Sequence, residues 1–212
     1  MITLKNISKE YNDTKILEDF NFVINKGEMI FITGESGIGK TTLLNIMSLL
    51  ERPDSGDVIV ENVVNPNKKS VLNLRRNMFG YLFQNYALIE NETVEDNLLL
   101  ALKYRRNIDK KAEIEKVLYD VNLKNFNKKK IFMLSGGEQQ RVALARIMLK
   151  QCEYIFADEP TGNLDNKNRD IVFDILKSIN LLDKTIVIVT HDKELIKQSD
   201  KIINLKSNAI QF

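Results

Sequence analysis

The segment that most restricts the fold is Gly34-Glu35-Ser36-Gly37-Ile38-Gly39-Lys40-Thr41-Thr42, which fits the phosphate-binding pattern G-x-x-x-x-G-K-[ST]. Ahead of it, Met29-Ile30-Phe31-Ile32-Thr33 reads as a strand buried on both faces. Behind it, Leu43, Leu44, Met47 and Leu50 recur at helical spacing over Thr42 to Leu50. Strand, glycine loop and helix in that order turn successive backbone N–H groups into one concavity. The helix N-terminus adds roughly half a positive charge behind it. In such a cradle Lys40 would reach the β- and γ-phosphates of a nucleotide, and the Thr41 hydroxyl would hold Mg²⁺.

The rest of the chain supplies an α/β frame for that loop. Ile2, Leu4 and Ile7 begin a strand, and Ile16-Leu17 and Phe20 to Ile24 predict two more before the turn Asn25-Lys26-Gly27. The loop helix is expected to stop at Arg52-Pro53-Asp54-Ser55-Gly56. Val58-Ile59-Val60 predicts a short strand, followed by a polar stretch around Pro66 and a strand from Met78 to Phe83 that ends at Gln84. Thr93 with Asp96 three residues on is a helix N-cap signature. Helical patterns then cover Leu98 to Tyr104 and Lys110 to Val121. Helix is predicted again from Glu138 to Lys150, with Val142, Ala145 and Leu149 on one face. Strand Tyr154 to Ala157, helix Asn168 to Ile179, strand Thr185 to Val189, helix Lys193 to Gln198 and strand Lys201 to Leu205 complete the series.

This alternation predicts a doubly wound, mostly parallel sheet flanked by helices. At its N-terminal side we expect an antiparallel β subdomain. An inserted all-helical subdomain is expected at about 86–140, within a single domain whose core is 1–85 and 141–212. A chain of 212 residues can bury about 70% of its unfolded surface, enough for that arrangement.

Charge balance excludes some partners. Lys and Arg number 31 against 29 Asp and Glu, a net charge of +2, which argues against a dedicated nucleic-acid binder. A single cysteine, Cys152, fits a reducing compartment and cannot pair within the chain. Met1-Ile2-Thr3-Leu4-Lys5 lacks the apolar stretch of a signal peptide, and no apolar run approaches the ~20 residues that span a bilayer. The expectation is a soluble chain that reaches a membrane through a partner. Lys128-Lys129-Lys130 reads as a solvated loop, with phospholipid contact as the alternative.

Two further clusters carry chemistry. Asp158-Glu159 ends a buried apolar run, so both carboxylates belong at the carboxyl edge of the sheet, where ligands of α/β folds bind. Asp158 would reach Mg²⁺ through water, and Glu159 would polarise the attacking water as a general base. Leu134-Ser135-Gly136-Gly137-Glu138-Gln139-Gln140 opens a helix with a capping box from Ser135 to Glu138. Its free N–H groups make a second anion site, and one chain does not need two for one nucleotide. A second copy would supply the other half.

With these motifs in order, the chain resembles the ATPase subunit of an ATP-binding cassette (ABC) transporter over nearly its whole length. Leu134 to Gln140 matches that family's signature motif, Gly34 to Thr42 its Walker A, and Tyr154 to Glu159 its Walker B with the catalytic glutamate. The resemblance implies that Tyr11 stacks on adenine and that Gln84 lies near Mg²⁺ and the attacking water. It places Asn163-Leu164-Asp165 at the D-loop, with Asp165 near nucleotide, and His191 at the γ-phosphate as the switch histidine. Taken alone, Tyr11 could equally be an incidental surface tyrosine and His191 a structural one. Thr41 stands where the family more often has Ser, and Tyr154 and Phe156 where aliphatics are commoner.

The resemblance further implies a P-loop NTPase fold and ATP with Mg²⁺ as cofactors. It implies a homodimer that closes on two ATP molecules, each between Walker A of one copy and Ser135, Gly136 and Gly137 of the other. An integral membrane permease is expected to contact Gln84 to Asn97. The site would be cytoplasmic, on the inner face of a bacterial membrane. Asp158 to Asp165 resembles the exporter branch for macrolides, lipoproteins, peptides and bacteriocins, and this motif together with the short chain suggests its lactococcin-type group. The rival reading is a soluble cassette acting on nucleic acid or ribosomes, but neither a coiled-coil insertion nor a second cassette is present. A degenerate, binding-only cassette would lack Glu159 or His191, and both are present.

Overall fold

The computed structural model describes residues 1–162, 164–197, 201–206 and 209–211. Two sheets share the chain. Strands β1 (Ile2–Tyr11), β2 (Thr14–Ile24), β4 (Ser55–Val60) and β5 (Val63–Val64) form an antiparallel sheet in the order β2-β1-β4-β5. The second sheet has the order β10-β9-β3-β8-β7-β6, from β3 (Met29–Gly34), β6 (Phe79–Leu82), β7 (Tyr154–Asp158), β8 (Thr185–Val189), β9 (Lys201–Lys206) and β10 (Ala209–Gln211). All its pairs are parallel except β9 with β10. This is the α/β P-loop NTPase architecture read from the sequence.

The continuous apolar strands are explained by cover on both faces. Ile30, Ile32, Val187 and Val189 face one core with α1 (Lys40–Met47) and the antiparallel sheet. Met29, Phe31, Ile186 and Ile188 face a second core with α5 (Gly136–Lys150) and α6 (Asn166–Asn180). That second core runs on without a break into α3 (Val94–Ala101) and α4 (Lys110–Asp120) through Leu98, Ile114 and Leu118. The helical insert therefore shares its apolar interior with the sheet.

Several local expectations need correction. Ile16-Leu17 and Phe20 to Ile24 are one strand, β2, interrupted by a bulge: Ile7 pairs Phe20 and Lys9 pairs Leu17, so three steps oppose two. Asp19 there has φ 47°, and its N–H bonds to Ser8 Oγ at 3.1 Å. Helix α1 stops at Met47 rather than at Leu50. Leu49 turns left-handed (φ 60°), with its N–H on the Ile46 carbonyl and the Leu50 N–H on that of Asn45. This is a Schellman end built on Leu where Gly is usual, so no stop signal marks it.

The polar stretch after Val60 contains β5 and an unanticipated helix, α2 (Lys68–Asn77), capped by the Asn67 side chain, which accepts from Ser70 N–H at 2.9 Å. Leu74 is its one buried residue, too sparse a signal for periodicity. Strand β10 was not anticipated, α7 is Lys193–Ile196, and Gln198 of the expected helix lies outside the described residues.

Candidate functional site

Register brings the chemistry to one edge. β3 pairs β8 at Ile32 and Val189, β8 pairs β7 at Val189 and Asp158, and β7 pairs β6 at Ala157 and Leu82. The residues that follow, Gly34, His191, Glu159 and Gln84, therefore leave the sheet side by side at its carboxyl ends. Glu35, Ser36, Gly37 and Ile38 form the turn after β3, and Gly39 caps α1 with φ 104°. A Cβ on Gly39 would sit 2.3 Å from Ile16 Cγ2, so only glycine fits. No side chain caps α1, which leaves its first N–H groups for an anion.

Lys40 is 7% exposed and its ammonium spans the loop, donating to the Gly34 carbonyl at 3.0 Å and the Glu35 carbonyl at 2.7 Å. Thr41 Oγ1 donates to Asp158 Oδ2 at 3.0 Å. These two hard oxygens suit Mg²⁺. No cluster of three or more His, Cys, Asp or Glu that could hold a metal exists among the described residues. The donor set thus fits an ion completed by phosphate oxygens and water rather than one caged by protein.

Glu159 has φ 45°, with its N–H on the Val189 carbonyl at 2.9 Å, and its Oε1 lies 3.3 Å from His191 Nε2. Burial raises the Glu159 carboxyl above its ordinary range, against the lowering influence of His191. A buried carboxylate so shifted is a stronger proton acceptor.

Tyr11 ends β1, with its hydroxyl on Glu51 and the Lys9 ammonium 5.1 Å from its ring centroid; its phenol pKa is raised, chiefly by the Glu51 bond. Thr42 lies within reach of that hydroxyl, which puts Tyr11 beside the loop helix. Gln84 is exposed in the turn after β6 and makes no hydrogen bond to Thr41 or Asp158 among the described residues.

The second glycine tip lies elsewhere. Ser135 Oγ accepts from Glu138 N–H at 3.3 Å while Glu138 Oε2 accepts from Ser135 N–H at 2.8 Å, the expected capping box. The box leaves the Gly136 and Gly137 N–H groups without intrahelical acceptors. The neighbours of this tip are the Tyr86 hydroxyl beside Gly136 and Asn168 beside Gly137, not the residues of the Gly34 loop. Asp165 caps α6, accepting from Asn168 N–H at 2.8 Å, and Asn163 lies outside the described residues.

Sequence reading missed the residues that hold these parts in place. Asn97, fully buried, accepts from Ile89 N–H at 2.8 Å and donates to the Ile89 and Thr93 carbonyls at 3.1 and 3.0 Å. Arg146 donates to the Tyr86 carbonyl at 2.9 Å and the Ala87 carbonyl at 2.5 Å, clasping a turn whose two residues have φ 61° and 48°. Polar residues on apolar helix faces were the available signal, here Asn97 among leucines and Arg146 inside α5.

The family model described as ABC transporter matches residues 17–162. The macrolide export ATP-binding/permease protein MacB of Campylobacter jejuni is 39% identical over 214 residues, covering 99% of this chain and 33% of MacB. The chain thus spans about a third of the length of that relative. The lipoprotein-releasing system ATP-binding protein LolD of Rickettsia typhi is 40% identical over 224 residues, covering 100% of this chain and 98% of LolD. The dimeric post-hydrolysis state of the ATP-binding cassette MJ0796, bound to ADP and Pi, superposes with a TM-score of 0.88 at 33% identity, covering 100% of this chain and 98% of that one. Glycine loop, second tip and carboxylate strand fall inside one continuous family match, and the chain accordingly belongs to the ABC transporter family.

Proposed function

We propose that two copies of this chain enclose two Mg²⁺-bound ATP molecules and that hydrolysis drives export through a membrane permease. In this reading Gly34 to Thr42 grip the phosphates of one nucleotide, with Thr41 and Asp158 as the metal-facing oxygens and Gln84 beside them. Mg²⁺ would supply charge neutralisation on the transferred phosphoryl group. Glu159 takes the proton of the attacking water. His191 holds the Glu159 carboxylate and faces the γ-phosphate, and Tyr11 stacks on the base. Ser135, Gly136 and Gly137 close over the nucleotide of the other copy, near its Asp165.

The observation that carries the reading is the convergence of the Thr41–Asp158 contact at 3.0 Å and the Glu159–His191 contact at 3.3 Å on one sheet edge. That the second glycine tip neighbours Tyr86 and Asn168 instead supports its use by a second copy. Dimeric MJ0796 and the permease fused to ATPase in MacB support the dimer and the membrane partner.

For the permease we propose docking on Gln84 to Asn97, where Ile89 is exposed and Phe83 adjoins. The helical segment 86–140 is proposed as the unit that moves with it. No helix among the described residues is long and apolar enough to cross a membrane, so residence at the inner membrane face would come through the permease. LolD and MacB favour lipoprotein- or macrolide-like cargo, while bacteriocin export rests on the Asp158 to Asp165 motif alone. A net charge of +2 and relatives named for export leave the nucleic-acid reading unsupported.

Glu159→Gln tests the mechanism. It removes a general base worth typically 10²–10⁴ in rate. ATP binding is expected to persist, hydrolysis to slow by about that factor, and an ATP-bound dimer to accumulate on gel filtration. Turnover at the wild-type rate refutes the role given to Glu159.

A further inference from the structure

The connection between β7 and α6, which carries Glu159, is held by the helix whose tip forms the second glycine site. Gln140 lies one turn inside α5, is 1% exposed, and donates from Nε2 to the Pro160 carbonyl at 2.7 Å. A carbonyl only accepts, so the amide can face Pro160 in one orientation alone. That orientation leaves Gln140 Oε1 buried without a hydrogen-bond partner among the described residues, a costly arrangement that calls for a reason. Glu159, one residue before Pro160, is held at φ 45°, which persists only where its surroundings impose it.

The next residue of α5 grips the far end of the same connection. Arg141 donates from Nη1 to Asn168 Oδ1 at 2.6 Å, and its Nε is also buried without a partner among the described residues. Asn168 passes the contact on, since its N–H and its Nδ2 both donate to Asp165 at 2.8 Å. Gly137 backs onto this group so closely that a Cβ there would lie 2.5 Å from Asn168 Cγ. The first two turns of α5 therefore bear on Pro160 through Gln140 and on Asp165 through Arg141 and Asn168.

We propose that Gln140 and Arg141 are positioning residues that tie the glycine tip of α5 to Glu159 of the same chain. Engagement of the tip by the nucleotide of a second copy then sets Glu159 in this copy for proton abstraction. This rests on the two-copy reading above. Each tip serves the other copy's nucleotide while each Glu159 serves its own, so the link makes the two sites interdependent. α5 is a single unbroken helix from Gly136 to Lys150, which couples its first turn to Gln140 through continuous backbone hydrogen bonding. Displacements of about 1 Å can change a rate by about 10².

The test uses Gln140→Met, which keeps length and bulk and removes the donor, with Asn168→Ala as a second variant on a half-buried residue should the first fail to fold. ATPase rate is measured against ATP concentration, and nucleotide affinity by titration of a fluorescent ATP analogue at protein concentrations too low for dimers. The expected result is a kcat lowered about ten- to a hundredfold. The Hill coefficient falls toward one, the affinity of the single copy is unchanged, and the Glu159→Gln parent still dimerises on ATP. Wild-type kcat and Hill coefficient in a folded variant overturn the link. Failure of the Glu159→Gln parent to dimerise overturns the two-copy reading instead.

Discussion

Asn97→Ala is a stringent probe of the loop after β6, because each of its hydrogen bonds can be followed individually. The side chain is fully buried and makes three. When it is truncated, the Thr93 carbonyl keeps the Asn97 backbone N–H at 3.1 Å and the Ile89 carbonyl keeps the Glu92 N–H at 3.1 Å, so neither acceptor is orphaned. Among the described residues, only the Ile89 N–H loses its sole partner. An orphaned donor costs about 1–3 kcal/mol, and the two lost donations add about 0.5–1 kcal/mol each, so the total is about 2–5 kcal/mol. For a chain of this size 1 kcal/mol moves the melting midpoint by about 2–4 °C, so about 4–20 °C is expected by calorimetry or circular dichroism.

Asn97→Asp separates donor loss from packing. Its carboxylate could still accept from Ile89 N–H but would face two carbonyl oxygens at a fully buried position. The ionised form is disfavoured there, so the folded pKa of the new group lies above its unfolded value of about 3.9. Below the unfolded value both states are protonated and the variant stands closest to wild type. The deficit grows as pH rises from there to the folded pKa and then levels off. A shift under about 0.5 kcal/mol for Asn97→Ala, the range of ordinary surface changes, refutes the account, as does a pH-independent deficit for Asn97→Asp.

Gly39→Ala is expected to weaken ATP binding and lower the melting midpoint, since it adds a Cβ 2.3 Å from Ile16 Cγ2 and forces a side chain to φ 104°, the latter alone costing roughly 1–3 kcal/mol. Adding Ile16→Ala relieves the contact but not the backbone strain, so recovery measured by nucleotide titration is partial. Because burial raises the Glu159 carboxyl, protonation disables it at a higher pH than an ordinary glutamate. The acid limb of kcat/KM against pH, which reports the free enzyme, then lies above about 4.3, and a limb at or below that value contradicts the assignment.

How much could be read from the chain alone follows from the range of each interaction. The Gly34 loop, the Thr93 and Ser135 capping boxes and the apolar strands are local patterns, in which residues within a few positions satisfy one another, and all are present. Elements whose reasons lie far along the chain were hidden. The bulge in β2 answers to β1, the end of α1 at Met47 uses a leucine in a glycine's place, and α2 buries a single leucine.

The same division runs through the site. Spacing alone nominated Thr41, Asp158 and Glu159, because a glycine loop and a carboxylate at the end of an apolar run are each chemically legible, whereas His191 entered only through the family resemblance. That Thr41 meets Asp158 across 117 positions, or Gln140 meets Pro160 across 20, depends on parallel register and on where α5 crosses the sheet. Residue types set what each segment could form and which groups could react. Long-range packing chose which of those groups touch, since a contact between distant positions has no signature until burial of both cores brings them together.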